Sequence, residues 1–141
     1  MAVLALDLGA KRIGVAVADP TGSFALPLTV LERTTLKADL ERICGLVREY
    51  SVDEMVIGYP VRLTGERGPA AEKTDRFIEQ LARVFHGRIH RVDERLTTAQ
   101  ATKSLIAADV SRSKRKAVID KMAAALILES FLARRRSGAS A

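Results

Sequence analysis

The chain has 141 residues, 48% of them hydrophobic and 28% charged, with one cysteine and no tryptophan. That length suits one domain with its own core. The composition excludes an internal disulfide and a CxxC zinc site, argues against an aromatic base-stacking platform, and offers no apolar run near the ~20 residues that span a bilayer.

The apolar start at 2–6 is too short for the h-region of a signal peptide and meets Asp7 at once, so a cytoplasmic location is expected. Residues 3–8 read as a strand and 13–18 as a second, joined by the turn Gly9-Ala10-Lys11-Arg12. Residues 24–31 read as a third strand, which Pro27 assigns to an edge or a bulge. Residues 36–50 form an amphipathic helix, with Leu36, Leu40, Ile43, Cys44 and Val47 at helical spacing, and Cys44 then serves as a small core hydrophobe. A short buried strand at 55–57 leads into a loop from Gly58 to Gly68. Pro69 opens a helix that buries Phe77, Leu81, Val84 and Phe85. A fifth strand covers 88–92. Thr97-Thr98-Ala99-Gln100 is a capping box, opening a helix that ends near Ala108. The basic stretch 111–116 reads as a mobile loop that orders on nucleic acid, ahead of a last helix at 117–134. Residues 1–136 make a single domain, and the small polar end 137–141 reads as a disordered tail. Three successive strands predict an antiparallel meander, and the later alternation predicts parallel strands with helical crossovers. The expected fold is α/β, a mixed five-stranded sheet flanked by helices.

The net charge of +6 is unevenly spread: residues 1–101 hold 14 Lys/Arg and 14 Asp/Glu, whereas residues 102–141 hold nine basic and three acidic residues. Such clustering is the footprint of a polyanion partner. Lys114, Arg115 and Lys116 read as phosphate contacts, and Arg134 to Arg136 as a solvated end.

Three acids stand where the pattern asks for something else. Asp7 shares a strand face with Val3 and Ala5 by the period of two. Asp120 falls in the inward stripe of the last helix, with Ala117, Ala123, Ala124, Ile127, Leu128 and Phe131. Glu94 lies just past the fifth strand, where open α/β sheets place their ligands. A buried isolated charge costs several kcal/mol. A salt bridge or a helix cap would answer each acid singly; a Mg²⁺ or Mn²⁺ site answers all three, because these hard cations take carboxylate oxygens together with water and substrate phosphate. Two such ions ~3.5–4 Å apart can activate a water and stabilise the leaving oxygen of a phosphodiester. Asp19 reads as a turn residue and Asp93 as a structural acid. Lys11 and Arg12, in the turn after Asp7, either hold a substrate phosphate or solvate a hairpin, Arg95 after Glu94 offers the same two readings, and Arg62 is read as a further nucleic-acid contact. Thr97 and Thr98 cap a helix. His86 and His90 lack metal-ligand spacing, and His90 reads as structural.

The blocks DLGAKRIGVAVAD, VIGYPVRLTGERGPAAEKT, VDERLTT and VIDKMAAALIL, in that order from about Ala5 to Phe131, resemble the signature blocks of the YqgF/RuvX family. The resemblance implies an RNase H-like fold and a metal-dependent endonuclease of the two-metal-ion type, with catalytic, metal-holding acids at Asp7, Glu94 and Asp120. It implies either maturation of the 5′ end of precursor 16S ribosomal RNA or resolution of four-way DNA (Holliday) junctions, and the RNA role is the one favoured. The chain departs from the family pattern after the fourth strand. There a GLP followed by an NMDG-like group is usual, whereas Gly58-Tyr59-Pro60-Val61-Arg62-Leu63-Thr64-Gly65 lacks the acid and adds Arg62. The expected assembly is a monomer or a homodimer, since symmetric junction cleavage needs two sites.

Two rival readings share parts of the pattern. Asp-x-Gly before a basic hairpin also opens the actin/hexokinase fold, but such phosphotransferases close two domains around ATP and have no need of Glu94 and Asp120. A non-catalytic RNA-binding ribosome-assembly factor would use the basic C-terminal region. Its salt-sensitive binding would survive loss of Asp7 or Asp120.

Overall fold

The computed structural model describes residues 2–19, 24–60, 68–93 and 112–136, with 112–120 as backbone only. The first apolar stretch forms β1 (Ala2–Leu8), and a tight turn, closed by the Gly9 N–H donating to the Arg12 carbonyl at 2.8 Å, returns the chain as β2 (Arg12–Ala18). The two pair antiparallel, Val3 against Ala18 and Asp7 against Gly14. β3 (Ala25–Glu32) adds antiparallel to β2 and forms the sheet edge. Its register slips where Val15 pairs with Thr29 and Ala16 with Pro27, leaving Leu28 over as a bulge. Pro27 therefore occupies an edge strand beside a bulge, as its missing N–H requires.

α1 (Leu36–Tyr50) is capped by Thr35, whose side chain accepts from the Ala38 N–H, and it ends on Ser51 in the left-handed conformation. β4 (Val52–Tyr59) then runs parallel to β1. α2 (Pro69–Val84) crosses back to β5 (Arg88–Asp93), parallel to β4, and α3 (Arg112–Arg136) follows. The strand order is β3-β2-β1-β4-β5, the mixed sheet expected from the element pattern.

Strand alternation splits the core in two. Leu4, Leu6, Ile13, Val15, Met55 and Ile57 pack under α1 and α2 against Ile43, Phe77 and Leu81. Val3, Ala5, Ala16, Ala18, Val56 and Val92 pack under α3. Among the described residues no helix is long and apolar enough to cross a membrane.

Four expectations need correction. Residues 112–116 belong to α3 rather than to a loop: no Gly or Pro interrupts them, and Lys and Arg are good helix formers. β4 spans eight residues rather than three, because the charge of Glu54 is neutralised by partners far along the chain. Val84 is exposed, since the buried stripe of α2 ends at Leu81. Cys44 is only half-buried. The helix expected after Thr97 and the tail at 137–141 lie outside the described residues.

Candidate active site

Asp7 is 5% exposed, although it stands one residue from the end of β1. Its strand face is that of Val3 and Ala5, which α3 covers. On both neighbouring strands the adjacent positions are glycines. Gly14 is its partner on β2, and Gly58 follows Ile57, the β4 partner of Leu6. Neither neighbouring strand thus places a side chain beside the Asp7 carboxylate. A carboxylate oxygen of this kind suits a hard divalent cation together with a phosphate. Among the described residues no three His, Cys, Asp or Glu side chains gather. Glu94 lies outside the described residues, one position beyond the end of β5, and Asp120 is placed by its backbone alone.

That backbone placement is informative. Arg135, in the last turn of α3, forms a two-pronged pair with Glu54, its Nη1 2.8 Å from Oε1 and its Nη2 2.6 Å from Oε2. Glu54 stands in register with Val3, near the start of β1. The last turn of α3 is thus fixed at one end of the sheet, and the earlier turns run toward the end where β1 finishes on Leu8, next to Asp7. The ~22 Å of helix between positions 120 and 135 exceeds the ~13 Å of strand between Val3 and Asp7, so the helix is long enough to bring position 120 to the level of Asp7. Position 120 also lies one turn before Ala124, which is fully buried against the sheet. Further up, Arg112, Lys114, Arg115 and Lys116 crowd the first turns, with no acid among the first-turn residues. Cations there oppose the helix dipole; a polyanion at this end of the sheet would relieve that cost.

The Glu54 cluster is structural. His90 Nε2 lies 2.8 Å from Glu54 Oε2, the His90 ring packs 4.8 Å from the Phe131 ring, and the Arg135 guanidinium stacks 4.5 Å from that ring. The hydrogen bonds from Arg135, opposed by burial and joined by His90, bring the Glu54 pKa down to about 2. The expectation for His90 holds, and Arg135 is an anchor rather than part of a solvated end.

On the hairpin, Lys11 is exposed, while Arg12 Nε is paired to Glu32 at 3.0 Å. A residue the sequence reading passed over holds this turn: the Arg33 N–H donates to the Lys11 carbonyl at 2.8 Å and its Nη1 to the Gly9 carbonyl at 2.7 Å. Arg33 is braced by the Phe77 ring at 5.7 Å and by buried Asp39, 3.9 Å from its Nε. Burial works to raise the Asp39 pKa, but the Thr34 N–H and Arg42 outweigh it and hold it below the ordinary value. At the end of β4, Tyr59 donates to Asp75 at 2.8 Å and Arg91 reaches the same carboxylate at 3.3 Å, tying α2 to the sheet. Arg62 and Arg95 lie outside the described residues. Gly14 and Gly58 were also missed. A glycine inside a strand is a signal for close approach, but only the register shows that Gly14 faces Asp7.

Relatives extend along nearly the whole chain. The chain is 46% identical over 133 residues to the "Putative pre-16S rRNA nuclease" of Thermoanaerobacter pseudethanolicus, covering 94% of this chain and 96% of the relative. It is 49% identical over 132 residues to the protein of that name from Carboxydothermus hydrogenoformans, with coverage of 94% and 96%. In three dimensions it is similar to Thermus thermophilus RuvC in complex with a Holliday junction substrate, with a TM-score of 0.60 at 12% identity over 98% of this chain and 97% of that one. The fowlpox virus Holliday junction resolvase in its junction complex gives a TM-score of 0.53 at 13% identity, over 94% and 99%. At such identities the likeness is one of fold, and the fold is the RNase H-like one that the sequence blocks implied. A family model described as "RuvX: Holliday junction resolvase" matches residues 1–134. The chain belongs to the RuvX family.

Proposed function

We propose that this protein is a divalent-metal-dependent endonuclease that hydrolyses nucleic-acid phosphodiesters, and that its substrate is the 5′ end of precursor 16S ribosomal RNA. The observation that carries the reading is Asp7: a carboxylate buried at the end of the central strand, between Gly14 and Gly58, at the end of the sheet toward which the early turns of α3 run with Asp120. The choice of RNA follows the names of relatives that are 42–49% identical to the chain.

Asp7, Asp120 and Glu94 would hold one or two Mg²⁺ or Mn²⁺ ions. The bound charge activates water and offsets the negative charge that develops on the phosphate. The chain's own contribution is placement. β1 fixes Asp7 in the centre of the sheet, so its carboxylate moves little as the substrate arrives. Gly14 and Gly58 leave room for the scissile phosphate. Lys11, Arg62, Arg95 and Lys114 to Lys116 would hold the flanking phosphates, with Arg12 shared between Glu32 and the strand.

A second reading keeps the same chemistry on a different substrate: the family model's description and the folds of RuvC and the fowlpox resolvase favour four-way DNA junctions. One assay separates these readings. Wild type and Asp120→Asn are given a labelled precursor-rRNA fragment and a four-way junction, each with Mg²⁺, Mn²⁺ or EDTA. The expected result is metal-dependent cleavage of the RNA by wild type alone, with nucleic-acid affinity retained in the variant. Cleavage of the junction in place of the RNA would select resolution. Binding of both without cleavage would leave a ribosome-assembly factor.

A further inference from the structure

We infer that the groove on the α1/α2 side of the end of β1 receives an unpaired stretch of the nucleic-acid strand, with Lys73 and Arg76 as its phosphate contacts. The inference deepens the nuclease reading and rests on it. The groove has a volume of about 770 Å³, and Asp7 and Gly9 form one wall. Arg33 and Leu36 close it at the start of α1, and Lys73, Arg76 and Phe77 line it from α2. A strand that lays a phosphate over Asp7 must leave across the end of the sheet. On one side it meets α3, and on the other it enters this groove.

The charges favour that path. Arg33 is committed to the Gly9 carbonyl and to Asp39, Arg12 to Glu32, and Arg91 to Asp75. Lys73 and Arg76 are exposed, and among the described residues neither has an ion-pair partner. They lie three positions apart on α2, the spacing that places two side chains as neighbours on a helix surface. Asp7 and Glu79 are the acids of the lining, and with Arg33 already paired to Asp39, Lys73 and Arg76 are the lining cations left to meet a phosphate. Between the cations and the wall, Leu8 and Leu36 offer apolar surface for the face of a base. The volume falls in the range of pockets that enclose a small ligand, which suits one or two nucleotides and is too small to enclose a duplex. The site therefore selects a strand that is unpaired beside the scissile phosphate.

The test compares wild type with Lys73→Gln/Arg76→Gln in EDTA, so that no cleavage intervenes. Fluorescence anisotropy reads affinity for a short mixed-sequence RNA, single-stranded or as a duplex of the same sequence, over a range of KCl concentrations. The expected loss on the single strand is about tenfold, with the slope of log K against log salt shallower by ~1.4, or ~0.7 for each lost contact. The duplex should change by less than about twofold. Unchanged single-strand affinity and slope would overturn the inference, as would an equal loss on the duplex. Both residues are exposed, so folding should survive, and the single variants repeat the test at about half the slope change if the double variant does not fold. Cleavage by wild type with Mg²⁺ is scored separately, so absence of nuclease activity and absence of a groove contact are distinguishable failures.

Discussion

On one face of the sheet, Leu4, Leu6, Met55 and Ile57 meet Ile43, Phe77 and Leu81 from two helices. On the other, Ala5, Ala16 and Ala18 meet Ala124, Ala125, Ile127 and Leu128, all from α3 among the described residues. The first face is filled with large side chains. The second mixes Val56, Val92, Phe131 and Leu132 with a patch of alanines on β1, β2 and α3, and the spacing of packed elements follows the side chains at the contact. Alanine against alanine lets the α3 backbone lie near the strands that carry Asp7, and Gly14 and Gly58 place no side chain beside it on the neighbouring strands. Each face also carries one nearly buried carboxylate clamp: Asp39 braces the hairpin turn through Arg33, and Glu54 fixes the end of α3 through Arg135. The large-residue face thus serves stability, and the small-residue face serves geometry.

Truncation and overpacking should separate these roles. Leu6→Ala opens a cavity in a fully buried site and should cost about 3–4 kcal/mol in urea unfolding, while the folded fraction keeps its specific nuclease activity. Ala124→Leu forces new volume under α3 and should cost about 2–3 kcal/mol. Its specific activity should fall much further than its stability, because Asp120 moves away with the helix. If Leu6→Ala proves the more damaging to specific activity, the division between the faces is wrong.

The clamp on the small face has a pH signature. Glu54 has a folded-state pKa of about 2 against an ordinary value of 4.5. A depressed carboxylate contributes stability that is fully present above the unfolded-state value and is lost as pH falls through the folded-state value. The contribution should therefore disappear between pH 4.5 and about 2. Glu54→Gln should cost about 2 kcal/mol at neutral pH, and the gap between variant and wild type should close over that acidic interval. Thermal unfolding at a series of pH values checks this; a gap that stays constant down to the lowest pH would remove Glu54 from the account. Asp39 shifts in the same direction, so it adds to the loss of wild-type stability in acid.

Much of this arrangement was legible in the sequence, and what was not shares a cause. α1 falls at Leu36–Tyr50 as its spacing demands, and Pro27 marked both the edge and the bulge. Asp7 announced itself because an acid in an apolar alternation has few structural excuses. The polar start of β4 hid its length because the groups that neutralise Glu54, His90 and Arg135, lie 36 and 81 positions away. Arg33 was invisible for the same reason: its work is on a carbonyl 24 positions earlier. Local pattern reports periodicity and propensity; partners brought together by the fold leave no local mark. The start of α3 was misplaced for a different reason. Helix propensity tolerates a run of Lys and Arg that polarity alone reads as loop.

The smallest expected effect lies at a position that belongs to neither face. Ser51 joins α1 to β4 with φ 53° and ψ 52°, and its N–H reaches back to the carbonyls of Arg48 and Val47. A side chain in this left-handed conformation costs roughly 1–2 kcal/mol, whereas glycine adopts it freely but loses more chain entropy on folding. The net gain for Ser51→Gly should be about 0.5–1 kcal/mol. The Ser51 carbonyl accepts from the Ala2 N–H at 3.0 Å, a bond that glycine keeps, so the start of β1 is undisturbed. Ser51→Val should shift the unfolding midpoint the other way, since a branched side chain tolerates this conformation least. Neither change touches Asp7, the glycines beside it or α3, so specific nuclease activity should stay at the wild-type level in both. A change in activity that tracked stability here would mean that the site responds to the fold as a whole, and the separation of stability from geometry between the two faces would fail.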